Sequence, residues 1–277
     1  MTSPIANSAE GNLSDVELGA LSRDDMIGGG IHLLQPKSGY RVSMDTIMLQ
    51  ASVPANAGER VLEPGTGTAA AALCLARRMP GVAVTGLEIQ PALERIARQN
   101  VAYNDLSERV NILGGCITNP PEILSEGQFD HVMVNPPYLD PGAALSSPTA
   151  TKDKAHMNST ATLYDWLNFS INMLKHKGSL SVVFRADRMH DLIYLLHGRV
   201  GELTICPLWP RAGSPAKRII IQGRKGLHGV TCMSQGLALH GCVDRYTPEA
   251  EKILRAGAAL DLRGARQAHV TGVAIVH

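Results

Sequence analysis

The sequence is poor in aromatic residues, which make up 4% of its 277 residues and include only three Phe and two Trp. A platform of stacked rings for single-stranded nucleic acid is therefore excluded as its basis, since such a platform uses aromatic side chains for successive bases. Long apolar runs are missing as well. The longest one, from Ala69 to Ala76, ends at Arg77 and Arg78 and is far shorter than the roughly 20 residues that span a membrane. We expect no membrane association.

Cysteine pairs are also missing. Five cysteines are present, and no two of them form a C-x-x-C pair. The odd number and the spacing disfavour a disulfide framework. Cys232, His240 and Cys242 lack the fourth ligand and the spacing of a closed zinc site. The N-terminal residues lack a basic segment followed by an apolar one, as a secretory signal would have. We therefore expect a cytoplasmic protein without a metal.

Acidic residues are absent from one long segment. The whole chain is nearly balanced, with Lys+Arg 26 against Asp+Glu 25, yet residues 204–243 contain no Asp or Glu. Arg211, Lys217 and Arg218 lie in this segment, followed by Arg224 and Lys225. Such a basic stretch is typical of contact with nucleic-acid phosphates, and we assign Arg211, Lys217 and Arg218 to an RNA substrate. A solvated strand edge, which cations protect from unwanted pairing, is the alternative.

From about Ile31 onward, short β-type runs alternate with helical periods. This alternation predicts an α/β fold, a mostly parallel sheet with helices on both faces. We expect an arm over residues 1–30, a catalytic domain over 31–225, and a C-terminal extension over 226–277 packed on or beside it. The predicted sheet has seven strands, the last two a late antiparallel pair: 60–63, 82–87, 110–113, 129–134, 178–184, 203–206 and 219–222.

A glycine turn follows the first predicted parallel strand. The strand Arg60–Glu63 is broken by Pro64-Gly-Thr-Gly67, and helix-forming residues follow. Glycines allow backbone N–H groups and a helix N-terminus to approach a ligand closely. Glu88, about 20 residues further on at the next strand end, can accept both hydroxyls of a ribose. The pattern favours a methyl donor over a dinucleotide, because the third glycine of a dinucleotide fingerprint would fall at Ala70.

The tetrapeptide Asn135-Pro136-Pro137-Tyr138 directly follows the predicted strand 129–134. The two prolines fix the backbone and remove N–H donors, so the turn is suited to accepting hydrogen bonds. An amine conjugated to a ring or carbonyl is a poor nucleophile because its lone pair is delocalised. The Asn135 side-chain oxygen and the Pro136 carbonyl could accept its two protons and localise that pair for attack on a sulfonium methyl. Tyr138 could stack on the planar substrate.

These motifs together resemble one family. From roughly Leu34 to Leu262 the chain is similar to the bacterial tRNA adenine-N6 methyltransferases of the valine tRNA type, class I S-adenosylmethionine-dependent methyltransferases with an N-P-P-Y motif. The resemblance is carried by Gln35–Arg41 with Asp45, the glycine turn, Asn135–Tyr138, Pro210–Arg218 and Tyr246–Glu251.

The resemblance implies a Rossmann-like class I methyltransferase fold that uses S-adenosyl-L-methionine to methylate the N6 amine of an adenine in tRNA, near the anticodon. Asn135 to Tyr138 would hold the target base, and Glu88 the cofactor ribose. A monomer or weak homodimer is expected. The residues implied for the cofactor are Arg41, Asp45, Glu63, Gly65, Gly67, Glu88, Ile89, Cys116, Ile117 and Asn135.

Three positions depart from the family pattern. The third turn glycine is Ala69, the acid expected for the cofactor adenine amine is replaced in Gly115-Cys116, and the usual His-Glu after the substrate loop is Met157-Asn158. Ala69 and Cys116 favour, as one alternative, a catalytically silent RNA-binding homologue. The other alternative is a protein glutamine N5-methyltransferase, which shares the Asn-Pro-Pro-Tyr chemistry. Those enzymes carry a helical domain before the catalytic one, where this chain has mainly polar residues before Leu33.

Overall fold

The computed structural model describes residues 21–138, 161–241 and 245–262. The strands are β1 (Leu21–Met26), β2 (Ile31–Pro36), β3 (Arg60–Pro64), β4 (Ala83–Glu88), β5 (Val110–Gly114), β6 (Phe129–Val134), β7 (Leu174–Arg185), β8 (Val200–Arg211), β9 (Arg218–Lys225), β10 (Cys232–Met233) and β11 (Leu237–His240). The helices are α1 (Met44–Ser52), α2 (Ala70–Arg78), α3 (Pro91–Tyr103), α4 (Leu163–Met173), α5 (Met189–Leu196), preceded by a 3-10 turn (Ala186–Arg188), and α6 (Pro248–Ala256).

The main sheet has the order β10-β8-β9-β7-β6-β3-β4-β5, with β11 also beside β8. Strands β3 to β7 are parallel, whereas β9 runs antiparallel to both β7 and β8. The predicted mostly parallel sheet with a late antiparallel pair is thus confirmed. Among the residues that the structure describes, the sheet has nine strands rather than seven, because β10 and β11 add to it. These strands are only 2 and 4 residues long, too short to show a periodic pattern.

Regular structure begins before the predicted position. β1 pairs antiparallel with β2 along its whole length, so residues 21–26 form a strand inside the segment that the sequence assigns to an arm. Its sequence LSRDDM lacks apolar alternation, and side-chain contacts hold it instead. Asp24 accepts hydrogen bonds from Gln35 of β2 and from Ser22, both at 2.7 Å. The ordered fold therefore extends ten positions further toward the N-terminus than Ile31.

Two asparagines of α3 attach this hairpin to the domain. Asn100 Oδ1 accepts from the backbone N–H of Leu34 at 2.7 Å, and Asn104 Oδ1 accepts from that of His32 at 2.8 Å. The amide groups return hydrogen bonds to the carbonyls of the same two residues. Because these bonds satisfy the outer edge of β2, the hairpin is fixed in place, and the loop after it leads toward α1.

Apolar side chains form two clusters on opposite faces of the sheet. One contains α1, α2 and the β2 residues Ile31 and Leu33, with Ala250 and Ile253 of α6. The other contains α4 and α5 with Leu62 and Leu87 of the central strands. The predicted helices on both faces are confirmed. The boundary proposed at residue 225 falls within the main sheet, since β10 and β11 both pair with β8.

Several features named from the sequence lie outside the described residues, namely most of the arm, Met157-Asn158 and Cys242. Within the described ranges, no helix is long and apolar enough to cross a membrane. Cys74, Cys116, Cys206 and Cys232 are free thiols.

Candidate functional site

The candidate site lies where the parallel strands end. β3 pairs with β4 on one side and with β6 on the other, so the chain moves outward in one direction from β3 to β5 and returns to the opposite side with β6. The crevice beyond the carboxyl ends at such a reversal is the usual ligand site of an open α/β sheet. The glycine turn follows β3, Glu88 is the last residue of β4, and Asn135 follows β6, so all three come to this edge.

The glycine turn requires its glycines. Gly65 and Gly67 have φ of 69° and 59°, in the left-handed region that a Cβ disfavours. A Cβ on Gly65 would lie 2.7 Å from Cη2 of Trp166, and one on Gly67 would overlap the hydroxyl of Tyr40. Ala69 also has a positive φ, 66°, which explains why a third glycine would suit this position. The turn therefore keeps a glycine-like shape despite the departure at Ala69.

Glu88 is buried at the end of β4 and faces this turn. Its Oε2 accepts from the backbone N–H of Gly67 at 2.8 Å, and its Oε1 accepts from that of Gln90 at 2.9 Å. Burial raises the pKa of Glu88, although these backbone hydrogen bonds oppose the rise. Each carboxylate oxygen keeps further lone-pair capacity. The backbone N–H of Ile89 also donates to this carboxylate, which still keeps acceptor capacity for a ligand.

Glu63, at the end of β3, is the second buried carboxyl group of this edge. Its Oε2 accepts from the Thr66 hydroxyl at 2.7 Å and from the backbone N–H of Ala72 at 3.1 Å. Burial, with a contribution from the nearby charge of Glu88, raises the pKa of Glu63 to about 8. A cation placed against Glu63 would favour its ionised form.

The loop after β5 contributes Cys116 and Ile117, and Ile89 follows Glu88. Burial alone would raise the pKa of the Cys116 thiol, but hydrogen bonds from the Thr118 hydroxyl and from nearby backbone N–H groups lower it overall. Ile89 is 39% exposed, and Ile117 is partly buried against the second apolar cluster. These donors stabilise the thiolate form of Cys116 relative to that of an ordinary cysteine.

These residues fit an adenosine-bearing sulfonium. The two glycines provide the close approach, Glu88 provides two acceptors for a pair of hydroxyls, and Glu63 provides a carboxyl group that a positive charge would ionise. Ile89 is an exposed apolar side chain beside Glu88, of the kind that packs on a purine.

Asn135 and Tyr138 belong to one polar network with Asp45 of α1 and Arg218 of β9. The Tyr138 hydroxyl lies 3.0 Å from both Asp45 Oδ2 and Asn135 Oδ1. Arg218 Nε donates to the same Asp45 oxygen at 2.8 Å across 173 positions of the sequence. The network joins the N-P-P-Y turn to α1 and to the antiparallel part of the sheet.

The ring of Tyr138 is held on two sides. The guanidinium carbon of Arg218 lies 4.8 Å from the ring centroid, and the ring of Phe184 meets it edge-on at 5.5 Å between centroids. Both contacts are of favourable types. Tyr138 is therefore fixed in orientation, and Arg218 covers one of its faces.

Arg41 lies apart from this cluster. Its guanidinium donates to Asp24 of β1 at 3.3 Å, to the Ser22 hydroxyl at 3.1 Å and to the Pro36 carbonyl at 3.2 Å. These contacts tie it to the hairpin. The cofactor contact that the resemblance implies for Arg41 stays a prediction.

The fold separates the basic residues of the acid-free segment. Arg211 ends β8 and Lys217 precedes β9; both are exposed. Arg218 pairs with Arg185 at the end of β7, so these cations lie at the carboxyl edge with the site. Arg224 and Lys225 lie at the opposite edge, where they donate to backbone carbonyls of residues 172, 174 and 177.

Sequence reasoning missed Tyr40 and Trp166, the two side chains against the glycine turn. Burial raises the pKa of Tyr40, and the charges of Glu63 and Glu88 raise it further, so its hydroxyl stays protonated. Trp166 Nε1 is buried and has no hydrogen-bond partner. Two features of the sequence could have pointed to these residues. Tyr40 directly precedes Arg41, and Trp166 is one of only two tryptophans. Across the described ranges, no three His, Cys, Asp or Glu side chains are grouped as a metal site.

Comparison with known proteins places the chain among methyltransferases. The family model described as N-6 DNA Methylase matches residues 40–191, which is more than half of the chain. A tRNA1(Val) (adenine(37)-N6)-methyltransferase of Porphyromonas gingivalis is 28% identical over 222 residues, covering 76% of this chain and 85% of that protein. A protein of the same name from Yersinia pseudotuberculosis is 29% identical over 234 residues, covering 80% and 89%.

Solved structures agree on the fold. A predicted O-methyltransferase from Agrobacterium tumefaciens has a TM-score of 0.65 and 23% identity, covering 78% of this chain and 98% of that chain. An O-methyltransferase from Thermotoga maritima, described as SAM-dependent, has a TM-score of 0.50 and 16% identity, covering 70% and 69%. At these identities the likeness concerns the fold alone.

Proposed function

The chain belongs to the N-6 DNA methylase family, and from this premise we propose that it transfers a methyl group from S-adenosyl-L-methionine to the exocyclic N6 amine of an adenine in a tRNA, near the anticodon. The relatives named as tRNA1(Val) (adenine(37)-N6)-methyltransferases support the substrate class. The catalytic residues of this proposal are Asn135, Pro136, Pro137 and Tyr138.

The observation that carries the proposal is the position of Asn135. It follows β6, the strand adjacent to β3, whose end bears the glycine turn. An amine held by Asn135 would therefore lie next to whatever the turn binds. Proximity and orientation of this kind are a large part of catalysis in a transfer between two bound partners.

Each group at the turn has a separate task. S-adenosyl-L-methionine would supply a methyl group on a positively charged sulfur. Glu88 would accept the two ribose hydroxyls. Because the Cys116 thiol cannot accept as a carboxylate does, the adenine amine would donate to a backbone carbonyl of the Cys116 loop or to Asn119. Glu63 places a carboxyl group on the side of the methionine chain. Tyr40 and Trp166 pack against the two glycines of the turn.

The substrate amine would be held at the N-P-P-Y turn. The Asn135 side-chain oxygen and the Pro136 carbonyl would accept hydrogen bonds from its two N–H groups, which localises the nitrogen lone pair. Tyr138 would stack its ring on the planar base. Arg211 and Lys217, exposed at the same edge, contact the phosphates around the target.

The decisive experiment identifies the labelled product. The protein is incubated with methyl-labelled S-adenosyl-L-methionine and with total bacterial RNA or total protein in parallel, and the labelled RNA is digested to nucleosides. We expect label in the tRNA fraction as N6-methyladenosine. Label in glutamine of a protein would instead support the glutamine methyltransferase alternative. Cofactor binding without any transfer would support the silent homologue.

A cytoplasmic location and a monomeric or weakly dimeric state complete the proposal. The free thiols at Cys74, Cys116, Cys206 and Cys232 and a tRNA substrate are compatible with a reducing compartment. Sedimentation of the purified protein tests the oligomeric state.

A further inference from the structure

The Tyr138 hydroxyl faces two acceptors with a single proton. Its oxygen is equally distant from Asp45 Oδ2 and Asn135 Oδ1, at 3.0 Å from each. Burial raises the pKa of Tyr138, and the charge of Asp45 raises it further, so the phenol keeps that proton. One proton cannot be donated fully to both oxygens, and the two acceptors therefore compete for it.

Asp45 is the stronger competitor. Hydrogen bonds to an ionised acceptor are about twice as strong as those between neutral groups, and the Asn135 amide is neutral. Arg218 Nε donates to the same Asp45 oxygen at 2.8 Å, which stabilises the carboxylate. The side chain of Asp45 is 11% exposed, so solvent and salt screen this pair only weakly.

We propose that Asp45 and Arg218 are positioning residues that draw the Tyr138 proton away from Asn135 and thereby leave the Asn135 oxygen free to accept a proton of the substrate amine. The inference rests on the proposed function, because it takes the Asn135 oxygen as the acceptor. Without the Asp45 charge, the Tyr138 hydroxyl would donate fully to one of the two lone pairs of the Asn135 oxygen, which would leave that oxygen a weaker and less accessible acceptor for the substrate amine.

The same contacts give Arg218 a different task from the one that the sequence suggested. Its Nε is bonded to Asp45, and its guanidinium carbon lies 4.8 Å from the Tyr138 ring centroid. A guanidinium held in this way orients the carboxylate and the ring together. Arg218 therefore acts through Asp45 and Tyr138.

The test compares the effect of Asp45→Asn in two backgrounds. In the otherwise unchanged protein, we expect Asp45→Asn to lower kcat about five- to tenfold, the size of one competing hydrogen bond. In a Tyr138→Phe background the competing hydroxyl is gone, so the same substitution should lower kcat less than about twofold. An equal loss in both backgrounds, or no loss in either, would overturn the proposal, since a purely structural role of Asp45 does not depend on that hydroxyl.

Two further measurements keep the outcome interpretable. The circular dichroism spectrum of the three variants should match that of the parent protein, and kcat is measured at saturating cofactor so that any change of cofactor affinity at Asp45 does not enter the comparison. Melting temperatures of the same four proteins form a second cycle that needs no substrate, in which Asp45→Asn should lower Tm less when residue 138 is Phe. Strictly additive Tm changes would contradict the Tyr138–Asp45 hydrogen bond. Failure of the parent protein to label any RNA would instead contradict the proposed function.

Discussion

Gly67 donates its backbone N–H to the carboxylate of Glu88 at 2.8 Å, across 21 positions of the sequence. This hydrogen bond joins the turn after β3 to the end of β4, two elements that each provide part of the proposed cofactor site. The hydrogen bond is buried and therefore helps to hold the shape of the turn. The carboxylate keeps acceptor capacity for a ligand.

Glu88→Ala should weaken binding of S-adenosyl-L-methionine by about 1–3 kcal/mol, since charge-assisted hydrogen bonds to the ribose are lost. Isothermal titration calorimetry measures the change. Glu108→Ala, at an exposed position, is the matched control and should bind as the parent protein does. Affinity of Glu88→Ala within twofold of the parent would remove Glu88 from the site.

Glu63→Gln should reduce the pH dependence of stability. The raised pKa of Glu63, about 8, means that the folded protein keeps a proton that the unfolded chain releases near its ordinary value of 4.5. The free energy of unfolding therefore falls as pH rises from about 4.5 through 8. Between pH 5 and pH 9, Tm of Glu63→Gln should fall less than that of the parent protein, by roughly 3 °C or more.

Differential scanning fluorimetry across that pH range supplies the measurement. Glu108→Gln is the control, because an exposed carboxyl group should leave the pH dependence unchanged. Parallel curves for Glu63→Gln and the parent protein would show that Glu63 titrates normally in the folded state.

Asn135→Ala should keep the fold and much of the cofactor affinity but lose turnover by about 10²-fold or more, in the range of removing one preorganised hydrogen-bonding group. Methyl transfer to tRNA measures turnover, and calorimetry measures cofactor binding. Asn111→Ala, at an exposed position of β5, is the control. Methylation by Asn135→Ala at the parent rate would contradict activation of the amine and, with it, the assignment to amino-methyl transfer.

Replacing both Arg211 and Lys217 by Ala should lower tRNA affinity and reduce its salt dependence, because each lost phosphate contact removes about 0.7–0.9 from the slope of log K against log salt. Cofactor affinity should not change. Filter binding at several salt concentrations provides the slope. The control replaces Arg224 and Lys225 by Ala, which removes equal charge from the opposite edge and should leave the slope unchanged. Equal slopes for both double variants would return Arg211 and Lys217 to the solvated-edge interpretation.

The central part of the fold could be predicted because its determinants are local. The strand Arg60–Pro64, its glycine turn and helix α2 are consecutive in the chain, and Asn135 directly follows β6. Parallel strands place such carboxyl-end residues at a common edge whatever the remaining contacts. Composition and spacing therefore identified the sheet, the glycine turn and the N-P-P-Y turn.

Other features depended on distant residues. Strand β1 has no apolar alternation and forms only by pairing with β2 and through Asp24. β10 and β11 are too short for a pattern, and they pair only because β8 extends beside them. In each case the stabilising contacts lie between segments that the sequence separates, so no local signal marks them.

The sequence by itself determined the chemistry at the edge of the sheet, because the glycine turn, Glu88 and Asn135 each follow a strand that can be recognised locally. Only the tertiary structure decided the roles of the cations in the acid-free segment. Adjacent Lys217 and Arg218 have different surroundings: Lys217 precedes β9 and is exposed, whereas Arg218 begins that strand and contacts Asp45 across 173 positions. Arg224 lies at the opposite edge because β9 runs the length of the sheet. The number of charges in a sequence window does not tell at which edge of the sheet each side chain lies. The course of the strand through the sheet decides this.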